Sequence, residues 1–354
     1  MSLMKKMFSR FSFAIVLFTL FNSFFFAAFG QEDQLIDPKS DSLPYELYNH
    51  KVILFSDFGY ASAPFSLRYN YPGEIDKLKF RNNYQSVLGF GFCYKWITIR
   101  LFKRLQQSTK SEEKYGTTKH AGLGITFSIK NTYWDIDLRS FTGYAIKSAY
   151  KWNDTLSSGV NPHDIRTNTA AGSFRANGWY FENKDFKMDA VFGKRGRFTK
   201  SVKSLYLKGS FNIYGVSNGN ESIIPSELID VQNSKTASPF YSAIDLGVLP
   251  GFAYANNINN WQFSTMVGLG GVIQNKFYNS NGNLRANLGL APRYDIRFIV
   301  GYTVPRYFIF LLSDIDNKSI RYNSLVYRQS FYSLSLVGGI RLDTKKEKSR
   351  RKER

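Results

Sequence analysis

The side chains best placed to do chemistry in this sequence are charged residues that alternate with apolar ones. Arginines and aspartates are interleaved at every second position of two separate stretches. In a closed interior they would form an ionic network; in an open one they would line a basic passage that attracts anionic solutes. The interleaving favours the network. The candidate lumen-lining residues are Arg285, Arg293, Asp295, Arg297, Asp135, Asp137 and Arg139.

Nucleophilic catalysis has weak support. The histidines His50, His120 and His163 have no spacing typical of metal ligands. A lipid-hydrolysing enzyme, the alternative, needs a serine beside a histidine base. Ser128 lies eight residues from His120 on one predicted strand, which is too far at about 3.3 Å per residue. The sequence does not exclude a serine on a neighbouring strand as the partner of His120. We expect no enzymatic activity, no cofactor and no metal.

Two further motifs have plain structural interpretations. Asp314-Ile315-Asp316-Asn317 carries oxygen ligands that suit calcium in a surface loop, but calcium needs many oxygens. An ordinary acidic turn is the simpler prediction. Gly268-Leu269-Gly270-Gly271 is glycine-rich, yet it lies mid-strand with no helix after it. It predicts close packing in a sheet and not phosphate binding.

The charged residues lie on segments with a period of two. From Trp261 to Tyr278, and again from Leu284 to Tyr302, one face is apolar and the other polar or charged. This period predicts β-strands, because successive side chains leave opposite faces of the pleat. Pro292 interrupts the second strand, where we expect a bulge. The same alternation along the chain adds an inward set: Arg100, Lys130, Lys208, Asp245 and Arg341.

Similar alternation predicts about 12 strands, within a range of 10–14. Tight turns at Lys95-Trp96 and Asn131-Thr132 alternate with longer polar loops, among them 61–83. We therefore predict an all-β fold, a transmembrane antiparallel up-and-down β-barrel. A soluble periplasmic β-protein is the alternative. If 187–198 is a strand, counting strands from the N-terminus places 217–238 at one end of the barrel. Counting strands from the C-terminus places it at the other end.

The ends of the chain indicate export. A positive start and an apolar run, followed by Ala28-Phe29-Gly30, are typical of a cleavable signal peptide. The predicted organisation is a signal peptide at 1–30, a periplasmic lead-in at 31–51, the barrel at 52–343 and a basic disordered tail at 344–354. The single cysteine, Cys93, cannot form an internal disulfide.

The net charge of the chain limits the kinds of partner that we expect. The net charge is +20, and for an exported barrel we expect contact with anionic groups but not with nucleic acid. The expected partners are outer-membrane lipids, the barrel-assembly machinery during biogenesis and anionic solutes. The oligomeric state stays open.

Four segments in order carry a resemblance: Ser86 to Trp96, Phe181 to Phe186, Ile224 to Leu228, and Gly247 to Tyr254. Their order resembles a family of uncharacterised outer-membrane barrels of the Bacteroidota, a domain of unknown function. The resemblance implies a location in the outer membrane and does not indicate a biochemical activity. The expected function is a structural, adhesive or narrow-pore role in the cell outer membrane.

Overall fold

A computed structural model describes residues 43–72, 75–83, 85–105, 116–146, 165–280 and 282–344. The predicted signal peptide and all but the first residue of the predicted tail lie outside these ranges. No helix in the described residues is long and apolar enough to cross a membrane.

The described residues form sixteen strands, one short α-helix and a 3-10 helix at Ser226–Leu228. Most strands are long and alternate between inward and outward side chains, as the period of two predicts. The strands are β1 (Tyr45–Leu47), β2 (Val52–Ser62), β3 (Phe65–Tyr71), β4 (Ile75–Arg81), β5 (Gln85–Tyr94), β6 (Ile97–Arg104), β7 (Lys119–Ile129), β8 (Thr132–Ile146), β9 (Ile165–Phe181), β10 (Gly196–Phe198), β11 (Val202–Ser217), β12 (Phe240–Ile258), β13 (Trp261–Ser280), β14 (Asn283–Thr303), β15 (Tyr307–Tyr322) and β16 (Leu325–Leu342); the helix is α1 (Met188–Val191).

Twelve of the described strands close into one antiparallel ring. The order around it is β2, β5, β6, β7, β8, β9, β11, β12, β13, β14, β15 and β16, and β16 pairs back onto β2. Consecutive strands of the ring are neighbours, so the topology is up-and-down. The predicted fold class and strand number are confirmed. Both ends of the ring-forming chain, Val52 and Leu342, pair at one end of the barrel, here called the termini end.

The predicted loop at 61–83 is wrong in part. Strands β3 and β4 form a hairpin there, which pairs with β16 through Val326–Gln329 and with β8 through Ala145 and Ile146. At the end opposite the termini end, here called the far end, the hairpin therefore bridges β16 and β8. Buried Leu67 and Leu78 explain why this polar-looking segment folds inward.

The predicted strand at 187–198 is also wrong. Residues 182–201 fold into the termini end of the lumen as a plug that contains α1 and β10, and β1 pairs with β10. Without this strand, counting strands from either terminus places the segment that follows β11 at the same end of the barrel. The tight turns at Lys95-Trp96 and Asn259-Asn260 lie at the termini end, and 218–239 lies at the far end.

The polarity of the inner and outer faces of the barrel wall reverses along the longest strands. On β15 near the termini end, Ile309 and Leu311 face outward and are exposed. Beyond Ile315, outward positions become polar, whereas inward Ile320 and Tyr322 are buried. The wall thus has an apolar exterior around a charged interior for part of its height, and the reverse at the far end.

The hairpin of β13 and β14 follows the predicted alternation. Trp261, Phe263 and Leu269 are exposed, whereas Gln262 and Gln274 are buried. The bulge expected at Pro292 is absent, because the register runs unbroken through Pro292 and its partner Gly271. Strand β15 pairs with β14 only from Ile296 onward. Pro292 therefore lies where β14 has one neighbour, and a missing N–H is tolerated there.

Candidate functional site

The charged interior is a transverse layer built by inward positions of many strands. Among the described residues, seven basic side chains face seven carboxylates in this layer. They are Arg100, Arg139, Arg175, Lys208, Arg293, Arg297 and Lys318, with Asp57, Asp135, Asp137, Asp245, Asp295, Asp314 and Asp316. The charges balance, so the layer neutralises itself and needs no counter-ion from outside.

Arg175 is the centre of this ionic layer. Its guanidinium lies 3.3 Å from Asp314, 3.8 Å from Asp316 and 3.9 Å from both Asp135 and Asp137. Strand β9 supplies the arginine, and strands β8 and β15 supply the carboxylates. Strand β8 is the neighbour of β9, whereas β15 lies across the ring, so the contacts of Arg175 with Asp314 and Asp316 cross the lumen.

Arg293 anchors a second group within the layer. It binds the carboxylate of Asp245, donates to the Tyr214 hydroxyl at 2.8 Å and to the Asn317 carbonyl at 3.1 Å. Gln274 donates to Asp245 at 2.9 Å and to Tyr214 at 2.8 Å. Side chains from β11, β12, β13 and β14 therefore hold one another, and several of these donors also reach β15.

Most predicted lumen-lining residues meet in this layer. Arg293, Asp295, Arg297, Asp135 and Asp137 are buried there, and Arg139 lies 2.6 Å from Asp137. Arg285 does not join them: it is exposed on the outer half of β14.

The wider inward set contains one error. Lys130 is exposed in the turn between β7 and β8, where its φ of 53° belongs to a turn and not to a strand. Its predicted inward position is therefore wrong.

Sequence reasoning missed the residue with the most partners, Arg175, together with Asp57, Asp316 and Lys318. The signal for Arg175 was present, since Ser173, Arg175 and Asn177 alternate with less polar residues on β9. The signal for Asp314 and Asp316 was misread. Both lie inward on β15 and pair with Arg175, so neither a calcium loop nor an acidic turn exists there.

The plug closes the layer on the termini side. Gln262 donates to the carbonyls of Ala190 and Val191 at 2.7 and 3.0 Å and accepts from the Phe198 amide at 3.0 Å. Arg341 donates to the carbonyl of Lys194 at 2.9 Å. The plug thereby bonds to barrel strands through its backbone. It packs with wall residues into an apolar cluster that includes Phe186, Met188, Phe308 and Phe310.

An apolar cluster also closes the layer on the far side. The β3–β4 hairpin supplies Phe65 and Phe80, which stack at 4.4 Å between ring centroids. The segment 218–239 supplies Ile223, Ile224 and Leu228, all buried in the same cluster. The Tyr241 hydroxyl donates to the Lys235 carbonyl at 2.6 Å and holds the segment over the end of the barrel.

A cavity of about 110 Å³ remains between the ionic layer and the plug. Arg100, Arg175, Asp314 and Lys194 are among its lining residues. Lys194 lies in the plug with its ammonium 4.2 Å from the centroid of the Phe55 ring. Burial, followed by the repulsion of Arg100, lowers the pKa of Lys194 to about 8. Its charge is therefore the least compensated one near the cavity.

The candidate base of a hydrolase, His120, is buried against an aromatic ring. The His120 ring stacks on Phe141 with centroids 4.0 Å apart, and Nδ1 lies 3.0 Å from the Ser140 carbonyl oxygen. Its Nε2 has no hydrogen-bond partner in the described part of the chain. His163 lies outside the described residues. Within those same residues, no three His, Cys, Asp or Glu side chains form a group that could hold a metal ion.

Several solved structures share the barrel architecture at low similarity. The outer membrane protease OmpT from Escherichia coli is 9% identical, with 84% of this chain and 98% of that chain covered and a TM-score of 0.39. The COG4313 outer membrane channel from Pseudomonas putida F1 is 10% identical, with 87% and 100% covered and a TM-score of 0.37. The P. putida toluene transporter TodX is 7% identical, with 83% and 90% covered and a TM-score of 0.28.

No curated protein matches the chain. The model of one family, a domain of unknown function (DUF4421), matches residues 39–341. That match spans nearly every residue of the barrel, the plug and the β1 strand. The chain therefore belongs to the DUF4421 family.

Proposed function

We propose that this protein is an integral outer-membrane barrel whose lumen is sealed, and that it works as a structural or adhesive anchor. The observation that carries the proposal is the sequence of layers inside the ring. A self-neutralised ionic layer lies between the plug and the far apolar cluster, with a cavity of about 110 Å³ between layer and plug. From these layers we infer that the described interior leaves no continuous aqueous path for a solute.

The exterior supports membrane insertion. Outward side chains such as Phe90, Leu101 and Leu269 are 64%, 60% and 69% exposed, and others like them surround the ring. A soluble β-protein rarely exposes so large an apolar surface. Short turns at the termini end are typical of the periplasmic side of an outer-membrane barrel. In this orientation, the β3–β4 hairpin and segment 218–239 face the outside of the cell.

Conductance of the purified protein in planar lipid bilayers tests the sealed-anchor proposal. We expect insertion without stable current steps, and a known porin in the same bilayers gives the positive control. Heat-dependent migration on a gel confirms that the inserted protein is a folded barrel. Regular single-channel steps from the folded protein would show an open pore and overturn the proposal.

Solubility and lipid chemistry test the alternatives. A membrane anchor stays in the membrane fraction until detergent is added, whereas a soluble periplasmic protein is released by buffer alone. An anchor without enzymatic activity leaves the outer-membrane lipid profile unchanged after gene deletion. Release into buffer, or a lipid species that appears or disappears with the gene, would favour the corresponding alternative.

A further inference from the structure

The wall of the barrel is incomplete between two consecutive strands. In the described residues, the outer half of β14, Asn283–Asp295, pairs with β13 but not with β15. The facing part of β15, Asp316–Tyr322, pairs with β16 alone. We call this gap the lateral slit. It lies in the far half of the barrel, which faces outward in the proposed orientation.

Side chains, not a strand, satisfy the backbone of β15 in the slit. Arg293 donates to the carbonyl of Asn317 at 3.1 Å, Gln274 to that of Ser319 at 2.9 Å, and Lys276 to that of Arg321 at 2.9 Å. These donors come from inward positions, so they form the floor of the slit. A strand entering the slit would find these three β15 acceptors already engaged.

Lys276 reaches across the slit because position 289 is a glycine. A Cβ built on Gly289 would lie 2.5 Å from the Lys276 ammonium nitrogen. The lysine therefore lies over the β14 backbone at a position where no side chain of β14 competes for the space. The slit carries a cation at its centre as a result of this close approach.

Apolar side chains of β14 and Arg321 of β15 lie on the outward face of the slit, whereas Lys276 and Arg285 lie at inward positions. Leu284, Leu288 and Leu290 are 56%, 75% and 82% exposed on the outward face of β14. Arg285 is exposed on the opposite face, and Arg321 is exposed on β15. The only acidic residues of the two strand segments that border the slit, Asp295 and Asp316, lie at the inner end of the slit and are paired with cations of the ionic layer. In the described residues, Lys276, Arg285 and Arg321 form no ion pair.

We propose that the lateral slit binds an anionic membrane lipid. The phosphate would lie between Lys276 and Arg321, with Arg285 as a further cation on the part of β14 that extends beyond β15, and an acyl chain would lie along Leu288 and Leu290. A lipid held by its head group would cover the open edge of β14. The inference rests on the proposed membrane location.

Lipid binding in a neutral detergent tests the inference. Native mass spectrometry counts phosphatidylglycerol molecules that stay on the full-length protein, with phosphatidylcholine as the uncharged comparison. We expect phosphatidylglycerol to be retained preferentially. The triple variant Lys276→Gln/Arg285→Gln/Arg321→Gln should bind it ~10-fold more weakly or worse, because each cation near a phosphate contributes strongly.

A matched control removes the same charge elsewhere. Lys184→Gln/Lys200→Gln/Lys203→Gln alters three exposed lysines at the termini end and should leave lipid binding unchanged. Equal retention by both triple variants would overturn the proposal and would leave strand capture as the use of the slit. Binding of glycerophosphate as tightly as the lipid would also overturn it, because the leucines would then contribute nothing.

Folding and insertion are measured on the same samples, by heat-dependent gel migration and by insertion into planar bilayers. A folded, inserted and non-conducting protein without phosphatidylglycerol preference would overturn the slit proposal alone. Failure to insert into bilayers would instead contradict the membrane anchor.

Discussion

Arg175 on β9 and Asp314 on β15 lie 3.3 Å apart across the lumen, although 139 residues separate them in the chain. Their strands are five positions apart around the ring of twelve. An ion pair between such distant parts of the wall forms only when the ring has closed. The contact therefore requires a closed ring whose diameter lets these two charged side chains meet.

Replacing Arg175 with methionine should destabilise the barrel strongly. Asp314, Asp316, Asp135 and Asp137 would lose a shared cation while staying buried, and breaking a buried pair in this way costs about 3–5 kcal/mol. Urea unfolding in detergent micelles, followed by gel migration, measures the change in the free energy of unfolding. Arg285→Met, at an exposed site on β14, is the control and should change it by about 0.5 kcal/mol or less.

The double variant Arg175→Met/Asp314→Leu tests whether Arg175 and Asp314 stabilise the barrel through their ion pair or only by filling space in the lumen. If the two residues stabilise each other, the double variant should be more stable than the sum of the single changes predicts. Additive losses would show that the contact carries no coupling, and the network account of the interior would then be wrong.

Period-two alternation predicts the faces of the strands because it is a local property. The exposed side of β13 and its buried Gln262 and Gln274 follow directly from neighbouring residues. Whether a short apolar segment spans the wall or enters the lumen is not local. Residues 187–198 carry Met188, Val191 and Phe198, which are buried against the inside of other strands. The sequence pattern alone could not distinguish this plug from a strand.

The interior partners were predictable as a set but not as pairs. Alternation predicts Asp135, Asp137, Asp295 and Arg297 as inward, yet Arg175 meets Asp314 only through ring closure. Arg285 has the same parity as Arg293 on β14 and still lies outside the network. The reason is its height on the strand, since Arg285 lies about 26 Å from Arg293 at about 3.3 Å per residue, close to the tip of the β13–β14 hairpin.

Gln262→Leu should loosen the plug. It removes hydrogen bonds to Ala190, Val191 and Phe198. The Ala190 carbonyl keeps the Gly193 amide as a partner, whereas the Val191 carbonyl and the Phe198 amide lose the Gln262 side chain, at a cost of about 1–3 kcal/mol per unsatisfied group. Cys93 is buried in the same apolar cluster, so its rate of reaction with a maleimide reports plug opening. We expect slow labelling in the native protein and faster labelling in the variant.

Gln232→Leu is the control for this measurement, because Gln232 is exposed in the far-end segment. Equal Cys93 labelling in the native protein and in Gln262→Leu would show that Gln262 does not hold the plug.

Stability should rise with pH above about 8 through Lys194. Burial lowers the pKa of this lysine from 10.5 to about 8 in the folded protein, so the unfolded chain binds the proton more tightly. The free energy of unfolding therefore rises as the pH increases from about 8 to about 10.5, by an amount on the order of 1 kcal/mol. Below pH 8 the cost of the buried charge is fully present.

Lys194→Met isolates that contribution. The variant should be more stable than the native protein at pH 7, and the part of the pH dependence above pH 8 that comes from Lys194 should disappear. Urea unfolding at pH 7, 8, 9 and 10 measures both effects. A native protein and a variant with parallel pH profiles would contradict the assignment.

A disulfide across the lateral slit should fail to form. Were the β14–β15 register to continue outward, Leu290 would lie opposite Arg321, as Phe298 lies opposite Ser313 in the paired half. A disulfide requires Cα atoms within about 7 Å. In a Cys93→Ser background, Phe298→Cys/Ser313→Cys should therefore crosslink on mild oxidation, and Leu290→Cys/Arg321→Cys should stay reduced. Gel migration with and without reductant distinguishes the two. Equal crosslinking of both pairs would mean that β14 and β15 are paired along their whole length, and the slit would not exist.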